Sequence, residues 1–142
     1  MKLIEKKMKI VGERVERLKQ LSLQIRSFSE YQASQDAKDI SERNLHVAIE
    51  TCLDIAKIII SQENFKEPND NKGVFTVLAE AGILSETSLV FLVPMAGTRN
   101  ILVHGYDRIE DILVYGVLKK HLNDFMIFLR EIRDNYLNRN KK

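Results

Sequence analysis

Apolar residues recur every third or fourth position through the first 28 residues: Ile4, Met8, Val11, Val15, Leu18, Leu21, Ile25 and Phe28. That period places one continuous apolar stripe on a helix from about Met1 to Ser29. A helix of that length buries its stripe only against other long elements, so a partner of similar length is expected. Ile40, Leu45, Ala48, Ile49, Cys52, Leu53, Ala56, Ile59 and Ile60 supply one, a helix over 37–61 whose wider apolar band implies a central position. Between them Glu30 to Asp36 reads as a polar turn, with Ser34 or Asp36 able to cap the second helix by accepting backbone N–H bonds.

The rest of the chain continues the pattern. Residues 62–73 form the clearest loop, followed by a short helix over 74–81 that stops at Gly82. A fourth helix starts after Ser85, with a kink expected where Pro94 and Gly97 interrupt it, and it runs to His104 before Gly105. After a polar corner over 107–111, Leu118, Leu122, Phe125, Leu129, Ile132 and Tyr136 place one stripe on a last long helix over 112–137. The fold class is therefore all-α, an antiparallel up-and-down bundle of about five helices. The length of 142 residues fits one domain, 1–142, with residues 138–142 expected to fray.

Composition excludes several classes. Two prolines and six glycines are too few for the turns of a sandwich or barrel. A single cysteine rules out an internal disulfide framework, and no apolar run approaches the roughly 20 residues that cross a bilayer. The charged start, Met-Lys-Leu-Ile-Glu-Lys-Lys, is unlike a signal peptide, and the expectation is a cytoplasmic protein with no membrane association. The net charge of +2 conceals asymmetry: residues 1–26 carry +5, 27–97 carry −6, 98–129 balance, and 130–142 carry +3. Basic ends around an acidic middle suit an anionic partner, and solvated helix faces produce similar counts.

Most catalytic motifs are absent: no glycine-rich phosphate loop, no Gly-x-Ser-x-Gly, no His-Glu-x-x-His. His46 and His121 lack partners at metal spacing, and Cys52 falls within an apolar band, where a buried hydrophobe is expected. One segment stands apart, Gly97-Thr-Arg-Asn-Ile-Leu-Val-His-Gly-Tyr106, which crowds Arg99, Asn100, His104 and Tyr106 into eight positions around Ile101, Leu102 and Val103. Polar groups gathered at a helix end need partners. An acid on a neighbouring helix would satisfy the arginine, and a ligand phosphate would do so too.

The string Arg-Asn-Ile-Leu-Val-His-Gly-Tyr resembles the signature of HEPN-domain toxins of the HepT type, the ribonuclease partners of MntA-type minimal nucleotidyltransferases. The resemblance extends to the second helix (Glu-Arg-Asn-Leu…Ala-Ile-Glu-Thr-Cys-Leu-Asp-Ile-Ala), to Leu-Ala-Glu-Ala-Gly-Ile-Leu and to the acidic corner after Tyr106. It implies a metal-independent endoribonuclease, without a cofactor, in which Arg99 and His104 act on RNA with Asn100 in support. Cleavage would proceed by attack of the ribose 2′-OH, so DNA is spared. The resemblance further implies that Tyr106 accepts AMP from a nucleotidyltransferase antitoxin, and that the protein is a homodimer or higher even oligomer with a cleft between the two motifs.

The residue chemistry is compatible. An imidazole serves as proton acceptor or donor near neutrality, and a guanidinium presents a charged planar fork to phosphate. The spacing is awkward, because positions five apart on an ideal helix point about 140° from each other. Either the helix distorts near Gly105, or two copies of the segment converge across a two-fold axis. A module that binds phosphate without turnover would use the same Arg99 and His104, and a plain helical dimerisation protein would not need them.

Overall fold

The computed structural model describes residues 2–104 and 110–139, with only the backbone of Val103 and His104. Gly105, Tyr106 and most of the expected polar corner lie outside the described residues, which form helices and no strand. In chain order the elements are α1 (Lys2–Gln24), α2 (Phe28–Ala33), α3 (Gln35–Glu63), α4 (Asn71–Glu80), α5 (Glu86–His104), α6 (Asp111–Lys120), α7 (Leu122–Ile132) and a π-helical turn, Arg133–Leu137. The all-α reading holds.

Helix α1 packs along α3 as the most extensive pair in the fold, antiparallel, with Lys7 beside Asp54 and Arg14 beside Asn44. The α1 stripe performs as its period requires: Ile4, Val11, Val15 and Leu18 are buried, and Met8, Leu21, Ile25 and Phe28 pack against the core. The helix nevertheless ends at Gln24 rather than near Ser29. Lys119 Nζ donates to the carbonyl oxygens of Ser22 at 2.6 Å and Ile25 at 2.5 Å, placing a cation on the unpaired carbonyls of the helix end. Ser27 then starts α2 by accepting from Glu30 N at 3.1 Å, while the Glu30 carboxylate accepts from Arg26 N at 2.9 Å. This variant of the capping box turns the expected polar turn into a short helix that buries Tyr31.

Ser34, one of the two caps expected for α3, accepts from Ala37 N at 3.0 Å. The far end of α3 overruns its expected limit and closes on Asn64 in the left-handed region (φ 56°), with Phe65 N donating to Ile60 O. The central position of α3 is evident from the buried series Leu45, Ala48, Ile49, Cys52, Leu53, Ala56, Ile59 and Ile60. Ile40, expected in that series, is 44% exposed. Helix α4 begins three residues before the expected Val74 because Asp70 caps it, accepting from Gly73 N at 2.9 Å. A side chain on Gly73 would run into Pro68. Gly82 (φ 78°) ends α4 as expected, with Gly82 N and Ile83 N donating to Ala79 O and Leu78 O.

Helix α5 carries Pro94 and Gly97 within one helical span, and Thr98 Oγ1 donates to Pro94 O at 3.1 Å. One expectation about the second half needs correction. The last helix is broken at His121, whose backbone leaves helical values (φ −122°, ψ 7°) and whose Nδ1 sits 2.8 Å from Asp124 Oδ2. The apolar stripe survives the break, since Leu118, Leu122, Phe125, Leu129, Ile132 and Tyr136 are all buried. Both halves pack on α1, α6 also on α2 and α3 and α7 also on α5. No helix of the described residues is long and apolar enough to cross a membrane.

Candidate functional site

Helix α5 carries the motif, and its start is anchored from α7. Ser85 Oγ accepts from Ser88 N at 3.1 Å, and Ser88 Oγ donates to Glu131 Oε1 at 2.7 Å. The same carboxylate oxygen accepts from Ser85 N at 3.2 Å. A carboxylate there also complements the positive end of the helix dipole. From that anchor Leu92, Met95, Ala96 and Leu102 descend into the core.

At the other end, Arg99 leans onto α3. Its Nε donates to Glu50 Oε2 at 2.5 Å and its Nη2 to Glu50 Oε1 at 3.4 Å, a two-pronged grip, while Nη1 reaches Asn100 Oδ1 at 3.3 Å. The Arg99 guanidinium holds the Glu50 carboxyl below the usual carboxylate range, chiefly through this hydrogen bond, and Glu50 in turn raises Arg99. Of the sequence candidates, the structure thus places Arg99 against an acid on another helix and brings Asn100 beside it. Glu50 is the residue that reading by motif missed: it lies 49 residues away, and on its own helix it is one carboxylate among several.

The α5 backbone stays helical through His104, so the offset of about 140° between Arg99 and His104 persists along it. Ile101, expected to face the core with Leu102, is 37% exposed. It joins Val90 (76% exposed) and the exposed Pro94 in an outward apolar stripe at positions i, i+4 and i+11.

Cys52 is buried and its thiol is pushed up by burial, which removes it as a nucleophile. His121 has one acidic neighbour, Asp124. Among the described residues no group of three His, Cys, Asp or Glu is placed to hold a metal ion. The tyrosines are distinct in environment. Tyr31 is fully buried, with a ring 5.6 Å from Tyr115, and burial pushes its phenol up to about 12. Tyr115 also packs on Phe28, and Tyr136 is buried with its hydroxyl 2.9 Å from Glu63 Oε2.

Comparison with known proteins gives the same placement. Residues 11–132 match the family model described as Ribonuclease HepT-like. The chain belongs to the HepT-like ribonuclease family. The mRNA nuclease HepT of Shewanella oneidensis is 34% identical over 90 residues, 63% of this chain and 68% of that protein. The tRNA nuclease HepT of Aphanizomenon flos-aquae is 27% identical over 135 residues, covering 95% of this HepT-like chain and 90% of the other. Among solved structures, the tri-AMPylated Shewanella oneidensis HEPN toxin in complex with MNT antitoxin superposes with a TM-score of 0.84. It is 28% identical, with 94% of this chain and 98% of that one covered.

Proposed function

We propose that this HepT-like chain, acting as one domain over residues 1–142 in the cytoplasm, is the toxin of a toxin–antitoxin pair. Its activity is metal-independent cleavage of RNA, and an MntA-like nucleotidyltransferase silences it by transferring AMP to Tyr106. The observation that carries the reading is the hold on Arg99. Glu50 grips the Nε and Nη2 edge and fixes the guanidinium plane, leaving Nη1 with only the 3.3 Å contact to Asn100. A phosphate oxygen competes well for that edge, since charge-assisted bonds to phosphate are the stronger kind.

In the proposed reaction the ribose 2′-OH loses its proton to a base and attacks the adjacent phosphorus. The P–O5′ bond breaks, and the 5′ oxygen leaves with a proton. His104 acts in proton transfer, Arg99 neutralises charge growing on the non-bridging oxygens, and Asn100 orients Arg99. DNA lacks the attacking hydroxyl and is spared. No cofactor enters.

A homodimer resolves the angular mismatch between Arg99 and His104. Two motif helices related by a two-fold axis gather two of each residue into one cleft. The outward stripe of Val90, Pro94 and Ile101 supports this arrangement, because it leaves apolar surface along the helix that carries the motif. Silencing at Tyr106 is supported by the burial of Tyr31 and Tyr136, which covers two of the other three phenols, while Tyr115 is partly buried with its ring packed on Phe28. AMP beside Arg99 would supply the phosphate that RNA otherwise brings.

The decisive experiment compares wild type with His104→Ala on total RNA, with and without EDTA. Loss of cleavage by about 10²-fold or more, with chelation harmless to wild type, is the expected outcome. Cleavage that persists in the variant, or that EDTA abolishes, would sink the mechanism. RNA binding by a wild type that never cuts would leave a non-catalytic phosphate-binding module.

A further inference from the structure

The α1–α3 pair carries a second cationic feature outside the motif. Between the two helices lies an open groove of about 610 Å³, walled by Arg14 and Arg17 from α1 and by Arg43, Asn44 and Ile40 from α3. Arg14 and Arg17 are three residues apart and neighbours on one helix face. No carboxylate among the described residues pairs with any of the three arginines. The one acid on the wall, Asp39, is engaged by Gln35 Nε2 at 2.8 Å.

One arginine is held in place from beneath. Asn44 is only 4% exposed, and both ends of its amide are used: Nδ2 donates to Ile40 O at 2.8 Å, and Oδ1 accepts from Arg14 Nη1 at 3.2 Å. A buried neutral acceptor orients the guanidinium without neutralising it. Arg14 therefore keeps its charge uncompensated at the mouth of a groove, which is a costly arrangement for stability and a useful one for an anion.

The placement along α3 says which anion. Arg43 and Glu50 are seven residues apart, two helical turns, so they fall on nearly the same face about 10 Å from each other along the axis. Glu50 is the residue that holds Arg99. The arginine groove is thus in line with the motif, along the exposed strip of α3.

We propose that Arg14, Arg17 and Arg43 form a phosphate-binding subsite that tracks the single-stranded RNA backbone away from the scissile bond at Arg99. This subsite rests on the reading of the chain as an RNA-cutting protein and adds a binding track to it. It reads no bases. Guanidiniums contact phosphates of any sequence, and the groove contributes affinity and register.

The test uses the full-length protein with Arg17→Gln and Arg43→Gln, singly and together. Both side chains are exposed and bear no buried hydrogen bond, whereas Arg14 is tied to Asn44. The probe is a fluorescent 2′-O-methyl oligouridine, which has no free 2′-OH to attack, titrated at several salt concentrations. Loss of two phosphate contacts should lower the slope of log K against log salt by about 1.4, at roughly 0.7 per contact for single strands. On cleavable RNA the double variant should raise KM by about tenfold, far more than it lowers kcat.

An unchanged salt slope with unchanged affinity would overturn the subsite, whatever the nuclease activity. Loss of binding to the partner nucleotidyltransferase with RNA binding intact would also overturn it, since the groove would then be a protein contact. A wild type that binds the probe and cuts no RNA would instead defeat the activity, and the salt slopes would still decide the groove. Melting curves that match wild type exclude misfolding as the cause of any loss.

Discussion

The two ends of α5 are built on opposite terms. At its start, Ser85, Ser88 and Glu131 satisfy one another through four hydrogen bonds to or through side chains, and Ser88 is 1% exposed. At its other end a single pair on the solvent side, Arg99 with Glu50, holds the motif, and the guanidinium keeps donor capacity to spare. The first end fixes where the helix lies. The second end can then hold polar groups short of full satisfaction without the helix losing its place, as the proposed phosphate contact requires. A variant at the anchored end should therefore cost stability, and one at the motif end should cost activity.

The largest contrast concerns Tyr106, just past the motif end. With the cognate nucleotidyltransferase, ATP and magnesium, wild type should gain AMP-sized mass and Tyr106→Phe should gain none, read by intact-mass spectrometry. An adduct on Tyr31, Tyr115 or Tyr136 would break the assignment. Arg99→Lys should come next, with charge kept and the fork lost: cleavage should fall by about 10²-fold while the melting point shifts little. A turnover near wild type would mean that Arg99 acts only as a charge.

Glu131→Ala tests the anchored end. It leaves the buried Ser88 hydroxyl and the Ser85 N–H without their acceptor, at a cost of about 2 kcal/mol. That corresponds to roughly a 5 °C drop in melting temperature for a chain of this size. If cleavage at 25 °C fell as far as in Arg99→Lys, the two ends would not be separable.

The smallest effect is expected at Glu50. Its carboxyl is held low in the fold by Arg99, so its contribution to stability is present above the ordinary carboxylate range and is lost as pH falls through the lowered value. Both partners are partly exposed, and water screening limits the pair to about 1 kcal/mol or less. Melting temperatures of wild type and Glu50→Gln should differ slightly at pH 7 and converge under acid conditions. A gap that widened on acidification would reverse the sign and refute the coupling.

Local signals and distant ones were unequally legible. The caps at Ser34 and Gly82 and the buried stripe from Leu118 to Tyr136 are written in neighbouring residues, and they appear as expected. The end of α1 is different. Its stripe continues to Phe28, yet the helix stops at Gln24, where Lys119 caps the carbonyls of Ser22 and Ile25 from 97 and 94 residues away and Ser27 starts a new helix. Periodicity reports which face is buried, and it is blind to a break in the helix that keeps the same face inward. The same blindness joined α6 to α7 across His121.

By itself the sequence determined the helical class, the burial of most of each apolar face, and, over residues 11–132, a match to the HepT-like ribonucleases. These are properties of spacing and residue type within a few turns of chain. Only the tertiary structure decided that Glu50 holds Arg99, that Glu131 anchors the start of α5, and that Arg14 and Arg17 of α1 meet Arg43 of α3 along one groove without a carboxylate partner among the described residues. The physical reason is the range of the interactions. Backbone hydrogen bonds and apolar periodicity are settled within one helix, whereas a side-chain partner 49 residues away is chosen by how helices pack, and packing depends on the whole core.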